Sequence, residues 1–175
     1  FRKTGRCEVS ACDSNAALLQ RIAAAHAVPA FATLDAALQS RAFDALVICT
    51  PAHTHLAIAR RGAQHGAALF IEKPLSVSSE GIDETRAALA QGGRFSAVAY
   101  VYHLMPWIRE AREFLQGGEL GAPLHAAVTS GQHFPTFRPA YREIYYRDHA
   151  TGGGAVQDAL THLVNATEWI IGPCT

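Results

Sequence analysis

The chain lacks any excess of charge of one sign. It carries 15 basic and 15 acidic side chains, and its pI is about 7.3. A neutral balance excludes the basic surface that is typical of nucleic-acid-binding proteins and of proteins that bind anionic membranes. We therefore expect neither nucleic acid nor a membrane among its partners.

Long hydrophobic runs, a secretory signal and a recognisable cysteine pattern are also missing. The apolar stretches have the length of strands, far short of the ~20 residues that span a bilayer. The four cysteines fit no metal or disulfide spacing, and Cys7, Cys12 and Cys49 are predicted to be small buried side chains. These absences favour a reducing cytoplasm as the compartment.

A glycine fingerprint of the form G-x-G-x-x-G is absent as well. Without it, the chain lacks the usual phosphate cradle of a dinucleotide site. The residues from Phe1 to Gly5 look like the last turn of a helix with a glycine cap, and Cys174-Thr175 follows the stop of another helix. We expect the chain to be an internal segment of a longer protein.

What the chain does contain is an alternation of apolar strands and helices, which predicts an α/β fold with a parallel sheet. Strands are predicted at residues 8–12, 45–49, 68–71 and 95–100, and helices at 15–27, 33–39, 53–65 and 79–90. A boundary is predicted near residues 101–105. Beyond it the pattern predicts a helix at 106–115, a strand at 124–130, irregular structure at 132–151 and a helix at 155–171.

A lysine ends the apolar run Ala68–Ile71, in the sequence Glu72-Lys73-Pro74. One interpretation is a solvated lysine that pairs with Glu72. The other is an ammonium group fixed at the carboxyl end of a buried strand, where ligands bind in open α/β sheets. Pro74 restrains the turn, and we hypothesise a cis Lys73–Pro74 bond that positions the lysine.

Asp158 and His162 lie four residues apart, and therefore on one face of the last predicted helix. Either they form an exposed pair on the polar side of an amphipathic helix, or they take part in chemistry. The second interpretation is favoured by Gly152–Gly154, because glycines let the backbone approach a ligand closely. Lys73, Asp158 and His162 together would suit a proton-transfer site.

Three further segments leave alternatives open. Asp13 ends the first strand as a ribose-binding acid does, or else Asp13 or Ser14 caps the following helix. His53 and His55 either ligate a metal or cap a helix, and capping is favoured because no third ligand lies nearby in sequence. The arginines and tyrosines of residues 133–147 suit a hydroxyl-rich or anionic ligand, or else belong to a surface loop or subunit contact.

Together these motifs resemble the Gfo/Idh/MocA oxidoreductase family. The matching pieces are Val47–Pro51 with His55, then Glu72-Lys73-Pro74, then Gly152–Gly154 with Asp158 and His162. The resemblance implies a partial Rossmann-like NAD(P)-binding domain with a parallel sheet over residues 1–102. It implies the start of an α+β domain with a mostly antiparallel sheet over 103–175, which binds substrate and forms a homo-oligomer.

The resemblance also implies roles for individual residues. The catalytic residues would be Lys73, Asp158 and His162. The cofactor, NAD or NADP, would contact Asp13, Thr50, Pro51, His55, Glu72, Lys73 and Pro74. The substrate would contact Tyr100, Tyr102, Arg138, Tyr145 and His162. NAD is favoured over NADP because the carboxylate of Asp13, with no adjacent arginine, repels a 2′-phosphate.

The implied reaction is hydride transfer from a carbinol carbon of a sugar, cyclitol or sugar derivative to the nicotinamide. His162 would take the hydroxyl proton and Lys73 would stabilise the charge that develops on oxygen. One alternative is a dinucleotide-binding sensor of the same fold without turnover. The presence of lysine, aspartate and histidine together argues against it, since a sensor needs no such set. A truncated or degraded copy without activity is a third interpretation.

Overall fold

The structure, a computed structural model, describes residues 2–131, 133–137, 139, 143 and 145–173. Short parallel strands and helices alternate in its first part, and helices and turns make up the second. The strands are β1 (Ala11–Cys12), β2 (Ala30–Phe31), β3 (Ala45–Ile48), β4 (Ala68–Ile71) and β5 (Ser96–Val98). The helices are α1 (Ala16–His26), α2 (Leu34–Ser40), α3 (His55–Gln64), α4 (Ile82–Gly92), α5 (Pro106–Gln116), α6 (Phe134–Phe137) and α7 (Thr161–Ile171). None of the described helices is long and apolar enough to cross a membrane.

The strands form two parallel sheets, which confirms the predicted parallel α/β architecture. One sheet pairs β1 with β2, and the other has the order β3-β4-β5. Ile48 lies opposite Ile71 in the larger sheet, so the carboxyl ends of β3 and β4 are neighbours. Strand β1 is shorter than the predicted 8–12 because its pairing with β2 is limited to two residues of each strand.

The core lies between α3 and the three-stranded sheet. Its buried cluster consists of Ile48, Ala59, Ala63, Leu69 and Ile71. The helix approaches the sheet closely because Gly62 has no side chain: a Cβ there would lie 2.6 Å from Cδ1 of Leu46. Burial of a leucine or isoleucine side chain contributes roughly 1.5–3 kcal/mol, so this cluster fixes the position of β3 and β4.

Helix α1 begins one residue later than predicted, and its cap lies one or two residues later. Its N-cap is Asn15, whose side chain accepts from the backbone N–H of Leu18 at 3.0 Å. The prediction of Asp13 or Ser14 as the cap was wrong. Instead, Oδ1 of Asp13 accepts from the backbone N–H of Asn15 at 2.8 Å, which stabilises the turn between β1 and the helix.

The second part of the chain departs most from prediction. Residues 124–130 form no strand and all seven are exposed. A strand needs a partner for its backbone hydrogen bonds, and none of the described residues pairs with this segment. The predicted antiparallel sheet is therefore not formed by the described residues. The predicted helix at 155–171 begins as a π-helical turn, Val156–Leu160, and continues as α7.

The cysteines were also predicted wrongly, because Cys7, Cys12 and Cys49 are exposed rather than buried. Cys12 is the last residue of β1, and Cys49 directly follows β3. At the end of a strand the chain passes beyond the part of the sheet that helices cover, so a residue there is exposed. An apolar sequence context does not show where the covered part of the sheet ends. Although Cys49 is exposed overall, its thiol is partly buried. This burial is the larger cause, and the nearby Glu72 carboxylate the smaller one, of a pKa above the ordinary value, so the thiol stays neutral at neutral pH.

Candidate active site

Lys73 lies directly beyond the carboxyl end of β4, in a turn that is bonded to the neighbouring strand. The backbone N–H of Glu72 donates to the carbonyl of Ile48 at 2.8 Å. The backbone N–H of Lys73 donates to Oε2 of Glu72 at 3.1 Å. The Lys73–Pro74 bond is cis, as hypothesised from the sequence. The main chain around the lysine is thus held at the edge of the sheet.

The ammonium group of Lys73 contacts Asp158, which lies 85 positions away in sequence. It donates to the main-chain carbonyl of Asp158 at 2.7 Å and forms an ion pair with the carboxylate. The two side chains are only 15% and 14% exposed. The interpretations of Lys73 as a solvated lysine and of Asp158 as an exposed acid are therefore wrong.

Aromatic rings enclose the imidazole of His162. It stacks on Tyr102 with ring centroids 5.1 Å apart, and Tyr100 meets it edge to face at 6.0 Å. The hydroxyl of Tyr100 lies 2.9 Å from Oγ1 of Thr161. Nδ1 of His162 is buried and has no hydrogen-bond partner among the described residues. A buried polar atom without a partner is uncommon and indicates a place where a ligand or water binds.

The surroundings of His162 favour its neutral form. Burial lowers its pKa below the ordinary value, and the ammonium of Lys73 lowers it further. The carboxylates of Asp158 and Glu72 act in the opposite direction but do not outweigh these effects. A neutral imidazole at neutral pH can accept a proton, as a general base must.

The turn after β3 carries Thr50 and Pro51 and continues into α3 through His55. The hydroxyls of Thr50 and Thr54 lie 2.6 Å apart. His55 is only 1% exposed, and its ring nitrogens lie 2.9 Å from the carbonyl of Pro74 and 2.8 Å from that of Thr50. Because both ring nitrogens face carbonyls of the protein, neither is available to form a hydrogen bond with a cofactor.

At Gly152, the lack of a side chain permits close packing of the backbone on another part of the protein rather than close approach to a ligand. This residue has a φ of +94°, and a Cβ on it would lie 2.7 Å from Cβ of Ala52. Nδ1 of His53 also lies 3.4 Å from the carbonyl of Thr151. The segment in front of Asp158 is therefore packed against the turn after β3. Within the described ranges, no group of three metal-ligating side chains comes together.

Not every predicted site residue reaches this place. Asp13 lies at the end of β1, in the smaller sheet. Arg138 lies outside the described residues, and so does the side chain of Tyr145. Sequence reasoning missed Thr161 and Ala52, the partners of Tyr100 and Gly152, because nothing in the sequence signals contacts across such long separations.

Two family profiles match the chain in succession. Residues 5–100 match the oxidoreductase family with an NAD-binding Rossmann fold, GFO_IDH_MocA, and residues 108–175 match the Gfo/Idh/MocA C-terminal domain. The chain belongs to the Gfo/Idh/MocA oxidoreductase family, and the resemblance inferred from the motifs is confirmed. Its first part is a Rossmann-fold, NAD-binding domain.

Known relatives are similar at low identity. The NAD⁺-dependent scyllo-inositol 2-dehydrogenase of Bacillus subtilis is 28% identical over 88 residues, which are 50% of this chain and 26% of that protein. The inositol 2-dehydrogenase of Burkholderia vietnamiensis is 27% identical over 130 residues, which are 74% of this chain and 35% of that protein. The chain thus spans about a third or less of the length of these two relatives.

Among solved structures, the WlbA dehydrogenase of Bordetella pertussis in complex with NADH and UDP-GlcNAcA has a similar fold. Its TM-score is 0.81 at 23% identity, and the match covers 98% of this chain and 54% of that one. At this identity the likeness establishes the fold alone.

Proposed function

We propose that the protein is an NAD-dependent dehydrogenase that oxidises a CH–OH group of a sugar, cyclitol or sugar derivative. The observation that carries the proposal is the contact of Lys73 with Asp158, beside a His162 whose pKa is lowered. The relatives named inositol dehydrogenases, and a similar structure that holds NADH with a UDP-sugar, support the substrate class.

The residues of the chain fit a dinucleotide at the carboxyl ends of the strands. The exposed Thr50, the partly buried Glu72 and the largely buried Lys73 line the ends of β3 and β4, where ligands bind in this architecture. The buried Nδ1 of His162, which has no hydrogen-bond partner in the described part of the chain, is a polar atom that a ligand or water can bind. Asp13, at the end of β1, has a carboxylate that suits ribose hydroxyls and disfavours a 2′-phosphate, so we propose NAD rather than NADP.

Each catalytic side chain then has a distinct task. When bound, NAD⁺ supplies the acceptor for the hydride. His162 accepts the proton of the substrate hydroxyl at a ring nitrogen, which its neutral form permits. Lys73 donates from Nζ to the same oxygen and stabilises the negative charge that develops there. Asp158 holds Nζ through its carbonyl and carboxylate, and Tyr100 and Tyr102 orient the imidazole.

We further propose the division of the chain into a cofactor domain at residues 1–102 and a substrate domain at 103–175. The two successive profile matches, at 5–100 and 108–175, support this boundary. We also propose that the substrate domain contains a mostly antiparallel sheet through which the protein forms a homo-oligomer, and that the protein acts in the cytoplasm. Arg138 and Tyr145 remain proposed contacts of the substrate.

The test is an assay of the protein with a panel of inositols, sugars and UDP-sugars, each with NAD⁺ and with NADP⁺. Absorbance of the reduced nicotinamide measures turnover, and titration of each dinucleotide measures binding. We expect turnover with at least one member of the panel and tighter binding of NAD⁺. A Lys73→Met variant serves as the control for adventitious reduction.

Two results would contradict the proposal. Dinucleotide binding without turnover across the panel would favour a sensor of the same fold. A clear preference for NADP⁺ would show that the carboxylate of Asp13 does not govern cofactor choice.

A further inference from the structure

We propose that His55 is a positioning residue that holds Lys73 in place for the chemistry. The inference rests on the proposed function, since it concerns the lysine assigned there. His55 connects two turns that lie on neighbouring strand ends, and one of these turns carries Lys73. The side chain acts through the main chain of that turn rather than on a substrate.

The geometry is that of a side chain built between two loops. His55 is one of the largest fully buried side chains of the described chain, together with Leu69 and Ile71. Nδ1 lies 2.9 Å from the carbonyl oxygen of Pro74, in the turn after β4. Nε2 lies 2.8 Å from the carbonyl oxygen of Thr50, in the turn after β3. Both distances are those of good hydrogen bonds.

The chemistry of the two partners assigns a direction to each bond. A carbonyl oxygen only accepts, so a ring nitrogen bonds to it only when that nitrogen carries a proton, and a neutral imidazole carries one. The tautomer with the proton on Nδ1 holds the turn that follows Lys73, and the tautomer with the proton on Nε2 holds the turn that carries Thr50. The inference requires the first tautomer. His55 is buried and both contacts are partly buried, so a carbonyl that lost its donor would be left without its protein partner in a site partly shielded from water.

The side chain of Lys73 is a flexible four-carbon stem, so the position of its ammonium group depends on where the main chain of the turn lies. The turn is held before the lysine by the bond from the backbone N–H of Glu72 to Ile48. It is held after the lysine by the bond from His55 to the carbonyl of Pro74. Loss of the second tie frees one side of the turn, and a displacement of about 1 Å at a reacting group can cost ~10²-fold in rate.

Two isosteric variants separate the two bonds. In His55→Asn the side-chain amide N–H occupies the position of Nδ1 and can still donate to Pro74. In His55→Gln it occupies the position of Nε2 and can still donate to Thr50. We expect His55→Gln to lower kcat about tenfold or more, with a smaller change in KM, whereas His55→Asn stays within about threefold of the parent.

The same two variants are then made in a Lys73→Met background. Residues that act through one another show non-additive effects, so the difference between Asn and Gln should vanish when the lysine is absent. His65→Gln is the matched control, because His65 is an exposed histidine at the end of the same helix whose Nδ1 lies 2.9 Å from a backbone carbonyl, that of Arg61. This control should keep the parent's kcat.

The outcomes separate this inference from the proposed function. Equal losses in the Asn and Gln variants, or a difference that persists in the Lys73→Met background, would overturn the role of His55 and leave the dehydrogenase intact. Full turnover of Lys73→Met itself would overturn both. Should the His55 variants fail to fold, ¹⁵N NMR of histidine in the parent protein decides: a protonated Nδ1 on His55 supports the tie to Pro74, and an unprotonated one excludes it.

Discussion

The three-stranded sheet with α3 and the part of the chain beyond residue 100 bury their apolar residues very differently. In the sheet, Leu69 is 1% exposed and Ile71 is 2% exposed. Beyond residue 100, one hydrophobic residue among those described is buried, Ala166, while Leu124 is 98% exposed. The sheet is thus a self-contained frame, and the second part is held to it by a few specific contacts that build the candidate site.

The largest test of this comparison is removal of a core side chain from each part. Leu69→Ala leaves a cavity under α3 and should lower the free energy of unfolding by about 2–5 kcal/mol. Leu124→Ala removes the same atoms from an exposed position and should change it by less than about 0.5 kcal/mol. Urea unfolding of both variants measures the two values. Similar losses would show that residues 124–130 are packed in solution and would break the comparison.

The same contrast explains which elements the sequence could predict. The runs Ala45–Ile48 and Ala68–Ile71 are apolar throughout, which is a local property typical of strands in a parallel sheet. In the structure their other face is open, with Val47 48% and Phe70 43% exposed. The alternating residues 124–130 look like a strand, but a strand exists only where a partner accepts its hydrogen bonds. Strand β2 was missed for the related reason that Ala30–Phe31 is extended only by pairing with β1.

The next test asks whether the contact between the two parts carries the chemistry. Lys73→Met keeps the length of the side chain but removes the charge that stabilises the substrate oxygen, so turnover should fall by ~10² or more. Lys3→Met is the matched control, because the chain has one other lysine and it is exposed. Turnover with the proposed substrates measures both. Comparable activity in the two variants would remove Lys73 from the site.

The site was predictable to the extent that its residues stand at the ends of regular elements. Lys73 after β4 and the pair Asp158 and His162 on one helix face follow from such positions. The role of His55 was not predictable, because its partners are main-chain carbonyls, which every residue has. The close packing of Gly152 on Ala52 was not predictable either, because a glycine is equally compatible with a nearby ligand and with a neighbouring part of the chain.

A smaller effect is expected from the glycine that brings the two parts together. Gly152→Ala places a Cβ 2.7 Å from Cβ of Ala52 on a backbone with a φ of +94°. Gly118→Ala is the control, because its φ is +81° but nothing lies within 4 Å of the added carbon. Both variants carry backbone strain of about 1–2 kcal/mol. Gly152→Ala should cost about 1–3 kcal/mol more, from overpacking.

Thermal or urea unfolding of the two glycine variants gives the comparison, and turnover adds a second readout. Gly152→Ala should also lower turnover, because it pushes Asp158 away from the sheet, whereas Gly118→Ala should not. Equal stability in the two variants would mean that the second part yields freely at this contact. The close approach would then be incidental to the site.

The smallest expected effect concerns the protonation of His162 and does not depend on any substrate. Burial lowers the pKa of His162 in the folded chain, while the unfolded chain binds a proton near the ordinary pKa of ~6.5. Between these two pKa values the unfolded state binds more protons, so stability is fully present above about pH 6.5 and is lost as pH falls toward the folded pKa. The slope should stay below the one-proton limit of ~1.4 kcal/mol per pH unit, because the ring is only partly buried.

The variant His162→Gln lacks this contribution. Urea unfolding at a series of pH values should therefore show that the stability of the parent relative to the variant shrinks on acidification. A difference that stays constant or grows would mean that the enclosure by Tyr100 and Tyr102 does not disfavour the charged ring, and the second part would be more open to water than its described contacts imply.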